Sequence, residues 1–559
     1  MFIKITPRTK GGKTYYYAEL VEAYRQEGKN KHRRILYLGS VDEVIAARLK
    51  IAFSKDFDSF TNIEKVVLGS AVCYGDFYLI NNIFEQVAMF ETFQRGFTPV
   101  DKHTTVETAL NCIKAMIFQR IIQPGSKLAL TEWMDDTPIR YFFDHGQQHP
   151  DLETIYRSLE VLCANFSLVE QSLCHWAEHC FEQNMQELYY DITSSYFEGR
   201  RCIIAEYGYS RDHRRDREQI VIGLVTTLDG FPIKCDIHPG STADKTTVTG
   251  VVEDLLKRYP IKEFVFVGDR GMLTGRNLEA IRKLKQRYVM ALPRAWSKKL
   301  LKNDPIDENQ MQEIADHLYA KFLPEVEGER YLLCLNTEKR TDDTKYRNHC
   351  LKSIEEQLTK LSAGLGTTNS HVATRDEAMK RVGVILKSNR SGKYFGVKTR
   401  DSASNPLGFE LEFSIKIKAV NSDRRLDGTF VIQTNQLTYD GAKLVNIYKN
   451  LNRVETAFWI IKNDLDIRPM YHWKDVRVKG HVYLCVLAYF VISVIEYLSK
   501  KKGMRLSARK ILRFLGELKL IQIELPGGER RFSLTALGKD HQRILNMLGI
   551  KKVALPRVV

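Results

Sequence analysis

The sequence lacks the features of a secreted or membrane protein. Its ten cysteines include no Cys-x-x-Cys pair, which suits a reducing compartment better than a disulfide scaffold. The longest apolar run, residues 482–495, has 14 residues, fewer than the ~18 that a membrane span requires. The N-terminus has no apolar stretch followed by a small-residue cleavage site. We therefore expect a cytoplasmic protein in which residues 482–495 form a buried helix.

Charge is the second compositional signal. The chain has 559 residues, enough for roughly two to four domains of ~150 residues. Its formal net charge is +16, of which residues 1–50 contribute +6 and residues 501–559 contribute +10. The residues between these ends are formally neutral. A basic excess at both ends indicates a polyanionic partner, and nucleic acid is the first hypothesis.

One short segment has the spacing of a metal site. Cys174, His175, His179 and Cys180 place two imidazoles one helical turn apart, which is compatible with zinc. Trp176 lies between them and favours an ordinary packed helix instead.

The first 185 residues divide into a β-rich part and a helical part. Alternating apolar residues predict a three-stranded meander within residues 1–50, with basic residues at its turns. From 51 to 185 the apolar spacing becomes helical, for example over Val106–Ile122. This region is predicted to bind DNA. A helix-turn-helix is compatible with the pattern, and a plain helical bundle explains it equally well.

Two short apolar strands each end in a carboxylate. Residues 188–190 precede Asp191, and residues 263–268 precede Asp269. The elements predicted around them follow the order β-β-β-α-β-α-β, which indicates an α/β fold with a mixed sheet flanked by helices. Such sheets tend to carry functional side chains at the carboxyl ends of strands. Residues 186–294 are therefore predicted to form the first part of a catalytic core.

The second half of the chain divides into three further segments. Residues 295–435 are polar with late strand patterns, and predict an inserted, partly β domain. Residues 436–500 return to a helical pattern over Ala442–Leu465, which carries Glu455, followed by a packing helix. Residues 501–559 predict helix, hairpin and helix, a basic α+β tail. This tail is either a winged-helix-like nucleic-acid module or a basic packing appendage.

The carboxylates suggest phosphoryl transfer. Cleavage of a phosphodiester needs charge neutralised at phosphorus and an activated water, and two divalent ions held by carboxylate oxygens supply both. Asp191, Asp269 and Glu455 are the candidates. Taken singly each has an ordinary explanation, because an aspartate after a strand is most often a cap or loop residue.

The sequence around these residues resembles the DDE transposases of bacterial insertion sequences. The similar segments lie within 188–292 and 427–500, and include Gly208–Arg214 and Arg468–Trp473. They match the branch with a Tyr, Arg, Glu, Lys signature around the last acidic residue. The resemblance implies an RNase H-like fold with a β-rich insertion domain before the glutamate helix.

The resemblance also implies site residues. Asp191, Asp269 and Glu455 would be the catalytic residues and would hold two Mg²⁺ ions, for which Mn²⁺ substitutes. The signature places Tyr448 seven residues before the glutamate and Lys462 seven residues after it. The position of the signature arginine holds Leu451, and Arg453 is the nearest substitute. The predicted DNA contacts are Tyr448, Arg453, Lys462, Arg211, Arg214 and Arg270.

We therefore predict a bacterial, nucleoid-associated DNA transposase. It would bind terminal inverted repeats, cleave at the transposon ends and join the 3′-hydroxyl to target DNA, as a homodimer in the DNA complex. Two alternatives remain: a catalytically inactive DNA-binding derivative, and an RNase H-like endonuclease that does not join strands.

Overall fold

The computed structural model describes residues 1–10, 13–26, 28–53, 67–143, 150–302, 306–367, 372–525 and 530–556. The chain forms two compact units. The first consists of Met1–Tyr78, Asp136–Phe142 and Leu512–Val559, and the second of Leu79–Asp135 and Phe143–Ile511.

The strands follow one another along both units. In chain order they are β1 (Phe2–Lys10), β2 (Lys13–Gln26), β3 (Lys29–Val41), β4 (Val67–Cys73), β5 (Glu187–Tyr196), β6 (Gln219–Thr226), β7 (Pro232–Pro239), β8 (Val265–Gly268), β9 (Arg287–Ala291), β10 (Gln312–Ala315), β11 (Leu318–Phe322), β12 (Arg330–Asn336), β13 (Phe395–Asp401), β14 (Phe409–Ile415), β15 (Thr429–Thr434), β16 (Lys519–Glu524) and β17 (Arg530–Leu534).

The helices are concentrated before β5, within the insertion and after β15. They are α1 (Glu43–Ala52), α2 (Gly75–Gln86), α3 (Met89–Gly96), α4 (Val106–Ile122), α5 (Lys127–Asp135), α6 (Leu152–Ala164), α7 (Phe166–His175), α8 (Val248–Arg258), α9 (Gly275–Lys283), α10 (Arg294–Leu300), α11 (Thr337–Gly364), α12 (Arg375–Lys387), α13 (Ile417–Arg424), α14 (Gly441–Lys449), α15 (Asn452–Asn463), α16 (Asp475–Lys501), α17 (Ala508–Gly516) and α18 (Lys539–Met547).

A nine-stranded mixed sheet forms the centre of the second unit. Its strand order is β10-β11-β12-β15-β9-β8-β5-β6-β7. β5, β6 and β7 are antiparallel neighbours, whereas β8 and β9 run parallel to β5. Every residue of β6 is buried, as expected for a strand covered on both faces. The part from β7 to β9 has the strand arrangement of the RNase H-like fold, which confirms the predicted fold class.

The predicted insertion contributes to two different structures. β10, β11 and β12 extend the central sheet, because β12 pairs with β15 and β15 pairs with β9. β13 and β14 form a separate hairpin that packs with α11 and α12 around its own apolar core, which includes Ile354, Leu358 and Phe395. The predicted domain boundaries stay predictions, and the central sheet runs across the one placed after residue 294.

The helical region packs as a bundle. α4 and α6 lie along α16, which also contacts β7 of the sheet. Among the described residues α16 is the one helix long and apolar enough to cross a membrane, and 78% of its most apolar stretch is buried inside the protein. The apolar run at residues 482–495 therefore belongs to a core helix, as its length predicted.

The first unit contains both ends of the chain. β1, β2 and β3 form the predicted antiparallel meander, against which α1 packs. The C-terminal segment folds as helix, hairpin and helix, also as predicted. Its strand β16 pairs with β17 on one side and with β4 on the other. The basic tail is therefore part of a sheet that includes residues 67–73.

A buried group of basic side chains lies within the helical bundle. Lys127 Nζ is 3.0 Å from His481 Nδ1, and the ring of His472 is 5.3 Å from that of His481. Arg120 donates a hydrogen bond to the carbonyl oxygen of Leu465 nearby. Burial, helped by the charges of Lys127 and Arg120, lowers the pKa of His472 to about 3. The same causes lower the pKa of His481 well below its usual value, so both imidazoles are neutral.

This cluster predicts loss of stability in acid. Below the ordinary histidine pKa of 6.5, the unfolded chain binds protons that folded His472 and His481 do not, so stability falls as the pH falls. Arg477 and Tyr156 also face His472 and supply no negative charge. His472→Phe removes one of these titrations and should flatten the decline by up to about 1.4 kcal/mol per pH unit.

Urea unfolding between pH 7.5 and pH 5 measures this slope. The exposed His349 provides the control, because His349→Gln should leave the slope unchanged. An equal slope for wild type and His472→Phe would contradict the prediction.

Candidate active site

The first candidate carboxylate lies within a central strand. The prediction that a short strand ends at Asp191 is wrong, because β5 continues to Tyr196. Asp191 stands on β5, where its neighbour Tyr190 pairs with Val225 of β6 and with Gly268 of β8. Burial, together with the negative charges of Asp269 and Glu455, raises the pKa of Asp191 to about 7. The acid therefore lies close to both other candidates, and its ionisation is costly without a cation.

The second and third carboxylates come from different elements. Asp269 directly follows β8, at the same level of the sheet as Asp191, and its side chain is 48% exposed. Glu455 lies in the first turn of α15, a helix that contacts β5 and β6 and whose buried residues include Val454, Ala457 and Phe458. The sheet and this helix thus bring together the three carboxylates that the sequence predicted.

The glutamate helix is not continuous. The pattern over Ala442–Leu465 predicted one helix, which is wrong, because α14 ends at Lys449 and α15 begins at Asn452. At the break the amide of Arg453 donates to the carbonyl of Asn450 at 2.9 Å, a tighter turn than an α-helix makes.

Tyr448 nevertheless reaches the site from the preceding helix. Burial raises its pKa to about 12, and the charges of Asp269 and Glu455 add to the shift. Its ring also stacks on Phe430 of β15, with the ring centres 5.9 Å apart. Tyr448 is therefore a predicted DNA contact that lies beside two of the carboxylates.

Lys462 is held in a buried ion-pair network. Its Nζ lies 2.7 Å from Asp212 Oδ1, and the guanidinium of Arg468 bonds to the same carboxylate oxygen. The side chains of Asp212 and Lys462 are only 1% and 10% exposed. Burial lowers the pKa of Lys462, and Asp212 opposes that shift. The ammonium that was predicted to bind phosphate is therefore paired with a carboxylate of the chain itself.

Arg211 links this network to the carboxylates. Its backbone amide donates to Ser194 Oγ on β5 at 3.0 Å, and its guanidinium bonds to Asp244. A methyl group at Gly271 would stand 3.7 Å from a carboxylate oxygen of Asp244 and 3.9 Å from one of Asp269. Asp244 is thus a fourth carboxylate beside the site, and Arg211 partly neutralises the group.

The other predicted DNA contacts differ in their surroundings. Arg270 is 64% exposed and lies 3.9 Å from Asp269. Arg214 donates two hydrogen bonds of 2.9 Å to Asp216, which is not one of the three candidate carboxylates. Arg453 lies near the following helix, where its charge opposes the burial that raises the pKa of Glu496.

The donor chemistry fits a divalent cation, since Mg²⁺ prefers carboxylate oxygens. The carboxylates are not arranged as a closed metal site. In the parts of the chain that the structure describes, no three His, Cys, Asp or Glu side chains are close enough together to hold a metal ion. This includes the segment from Cys174 to Cys180, where the rings of His175 and His179 stack on each other with centres 4.4 Å apart.

Comparison with known families identifies the family of the chain. Residues 190–491, more than half of the chain, match the family described as the transposase DDE domain, and this range contains all three carboxylates. The chain belongs to the DDE transposase family. Residues 3–57 of this transposase match the N-terminal domain of IS1634 family transposases. The resemblance to insertion-sequence transposases is therefore confirmed, and the protein is a DNA transposase.

The chain was also compared with solved structures and with curated proteins. Among solved structures, a cryo-EM structure of the piggyBac transposase synaptic complex with hairpin DNA is similar over 80% of this chain and 82% of that chain. The sequence identity is 10% and the TM-score is 0.39. A search of curated proteins gave no match for the transposase.

Sequence reasoning missed three charged residues of this transposase. Asp212 and Arg468 lie in the two segments that resembled the family, but no role was predicted for either. Asp212 stands among arginines in a run that indicates a solvated loop, and only its burial distinguishes it. Asp244 follows a short polar stretch and has no sequence signal beyond that of a turn residue.

The buried network predicts a large effect of Asp212→Asn. The variant leaves Lys462 and Arg468 without their carboxylate, so the free energy of unfolding should fall by about 3 kcal/mol. Adding Lys462→Met to Asp212→Asn should recover part of this loss, because one unpaired buried cation is removed. Urea unfolding of the variants gives the measurement.

Asp216→Asn is the matched control. Asp216 also pairs with an arginine, Arg214, but its side chain is 62% exposed. Its loss should change the free energy of unfolding far less than Asp212→Asn does, because an exposed ion pair contributes little. Equal losses for Asp212→Asn and Asp216→Asn would contradict the proposed difference in burial.

Proposed function

We propose that this transposase binds the terminal inverted repeats of its element, cleaves the DNA at the ends and joins the freed 3′-hydroxyl to target DNA. The observation that supports this most directly is the placement of the acids: Asp269 lies level with Asp191 on the neighbouring strand, and Glu455 is in the first turn of the helix that packs against β5. A bound cation relieves the repulsion between neighbouring carboxylates, so such an arrangement favours cation binding.

The proposed roles follow from the surroundings of each residue. Asp191, Asp269 and Glu455 would hold two Mg²⁺ ions, or Mn²⁺, which when bound would neutralise charge at phosphorus and activate water and then the 3′-hydroxyl. Tyr448 beside Asp269 and exposed Arg270 would contact the DNA next to the scissile phosphate.

The remaining predicted contacts would act in two ways. Lys462 and Arg211 already have carboxylate partners, so DNA phosphate would replace or share these partners. Arg214 and Arg453 would contact DNA at a greater distance from the site.

Binding of two ends together requires more surface than the carboxylate edge. We propose that the basic meander, the helical region and the C-terminal tail hold DNA, and that the active species on DNA is a homodimer. The positive charge of both chain ends supports this arrangement, because sequence-independent binding to DNA depends on phosphate neutralisation.

Asp269→Asn separates chemistry from binding. The substitution removes metal-binding charge from a half-exposed position and no basic side chain, so cleavage should fall by at least about 10³-fold while binding of end DNA stays within about twofold. Labelled duplex carrying the terminal repeat, with supercoiled target and Mg²⁺ or Mn²⁺, measures cleavage, joining and binding together.

Glu279→Gln removes an exposed carboxylate from α9 and is the control that should keep full cleavage. Full activity of Asp269→Asn would refute the site. Wild-type cleavage without joined product would instead identify an endonuclease, and binding without cleavage an inactive derivative.

The tail can be tested by substitution. Deletion would remove β16 from its pairing with β4, so loss of folding would obscure loss of binding. Arg530→Gln, Arg543→Gln and Lys551→Gln change exposed side chains only. The combined variant should show a shallower dependence of DNA affinity on salt, by about 0.9 in the log–log slope for each side chain that contacts phosphate.

Fluorescence anisotropy of labelled end DNA across a salt series measures that slope. The control replaces three exposed lysines of the insertion, Lys352, Lys360 and Lys380, by glutamine. A slope reduced equally in both variants would show that the tail has no special part in binding.

A further inference from the structure

A cluster of basic side chains surrounds one nearly buried carboxylate at the base of the insertion. Lys298 on α10 lies 2.8 Å from Asp423, Lys393 bonds to the same side chain, and Arg294 donates to its backbone carbonyl at 3.4 Å. Asp423 has a side chain that is 12% exposed. We call Arg294, Lys298 and Lys393 around Asp423 the Asp423 patch.

The cations of the patch face solvent although the carboxylate does not. Arg294, Lys298 and Lys393 have side chains that are 56%, 50% and 61% exposed. They line a depression of about 320 Å³ together with Tyr394. A surface with exposed guanidinium and ammonium groups around a depression is suited to an anionic ligand.

The patch keeps a positive excess after all its ion pairs are counted. Arg294 also lies 3.7 Å from buried Asp427, which bonds to Arg347. Four cations therefore share two carboxylates. Further exposed basic residues lie close in the chain to Lys298, Lys393 and Asp423: Lys299, Lys302, Arg390, Lys416, Lys418 and Arg424.

Asp423 stays ionised in this environment. Burial acts against its charge, but hydrogen bonds from Lys298, Lys393 and Tyr394 outweigh burial and lower its pKa far below the usual value. The carboxylate thus holds the cations in place and cancels one of their charges.

The central sheet places the patch near the carboxylate site. Gly268, just before Asp269, pairs with Met290 of β9, so Ala291 lies level with Asp269 and with Asp191 on β5. Neighbouring strands are about 4.8 Å apart, which puts Ala291 about 10 Å from Asp191. α10 begins three residues later, at Arg294.

We propose that the Asp423 patch binds the phosphate backbone of the duplex whose phosphodiester lies at the carboxylate site. Phosphates follow each other every 3.4 Å or so along one strand, so a duplex held at the carboxylates reaches the patch within a few nucleotides. This inference rests on the proposed action on DNA and assigns a DNA contact to the insertion, for which the sequence predicted no role.

Two variants with opposite expected effects test the proposal. Lys298→Gln with Lys393→Gln removes two phosphate contacts, so binding of a fluorescein-labelled duplex of mixed sequence should weaken and the log–log salt slope should become shallower by about 1.8. Asp423→Asn keeps every cation and removes the opposing charge, so binding should tighten by about threefold or more. A cluster with a purely structural role would weaken binding in both variants.

The experiment includes a control variant, and thermal melts show whether each variant folds. Lys352→Gln with Lys360→Gln makes the same charge change elsewhere on the insertion and should leave the slope unchanged. If the double patch variant does not fold, Asp423→Asn alone decides. Unchanged or weaker binding by folded Asp423→Asn overturns the proposal, as does self-association that responds to the patch while DNA binding does not.

Failure of the patch is distinguishable from failure of the proposed function. If Asp269→Asn loses cleavage while the patch variants bind DNA like wild type, only the patch assignment is wrong. If wild type neither binds nor cleaves DNA, the proposed function itself is wrong.

Discussion

Asp191 lies on β5, a strand that is hydrogen-bonded to β6 on one side and to β8 on the other. Burial and two nearby carboxylates make its ionised form costly, which is why its pKa rises to about 7. The surrounding structure has to provide positive charge without closing the site. Arg211 supplies part of it from a loop anchored on Ser194 of the same strand.

Several cations near the carboxylate site are paired with other carboxylates of the chain. The ion pairs are Arg211–Asp244, Lys462–Asp212, Arg468–Asp212, Lys298–Asp423 and Lys393–Asp423. Such pairs orient long side chains and limit the repulsion among them. An incoming phosphate therefore meets side chains that are already held, and competes with a carboxylate for each.

Local sequence patterns predicted the strands on which Asp191 and Asp269 depend. Each acid follows a short apolar run, and a polar residue at the end of such a run stands out from its neighbours alone, although β5 continues past Asp191 to Tyr196. Glu455 has no such local signal, and it was predicted through the resemblance, whose signature places Tyr448 seven residues before it and Lys462 seven residues after it. The helix that carries it was wrongly predicted as continuous, because the turn at Asn450 leaves the apolar periodicity almost unchanged.

The sequence by itself determined the α/β class, the basic ends and the two apolar runs that precede Asp191 and Asp269, since these depend on residues close together in the chain. The tertiary structure decided which charges meet. Asp212 and Lys462 are 250 residues apart in the sequence, and β4 pairs with β16 although most of the sequence lies between these two strands. A pattern of single residues cannot state whether an aspartate among arginines is solvated or buried, because burial depends on the surfaces that the fold places over it.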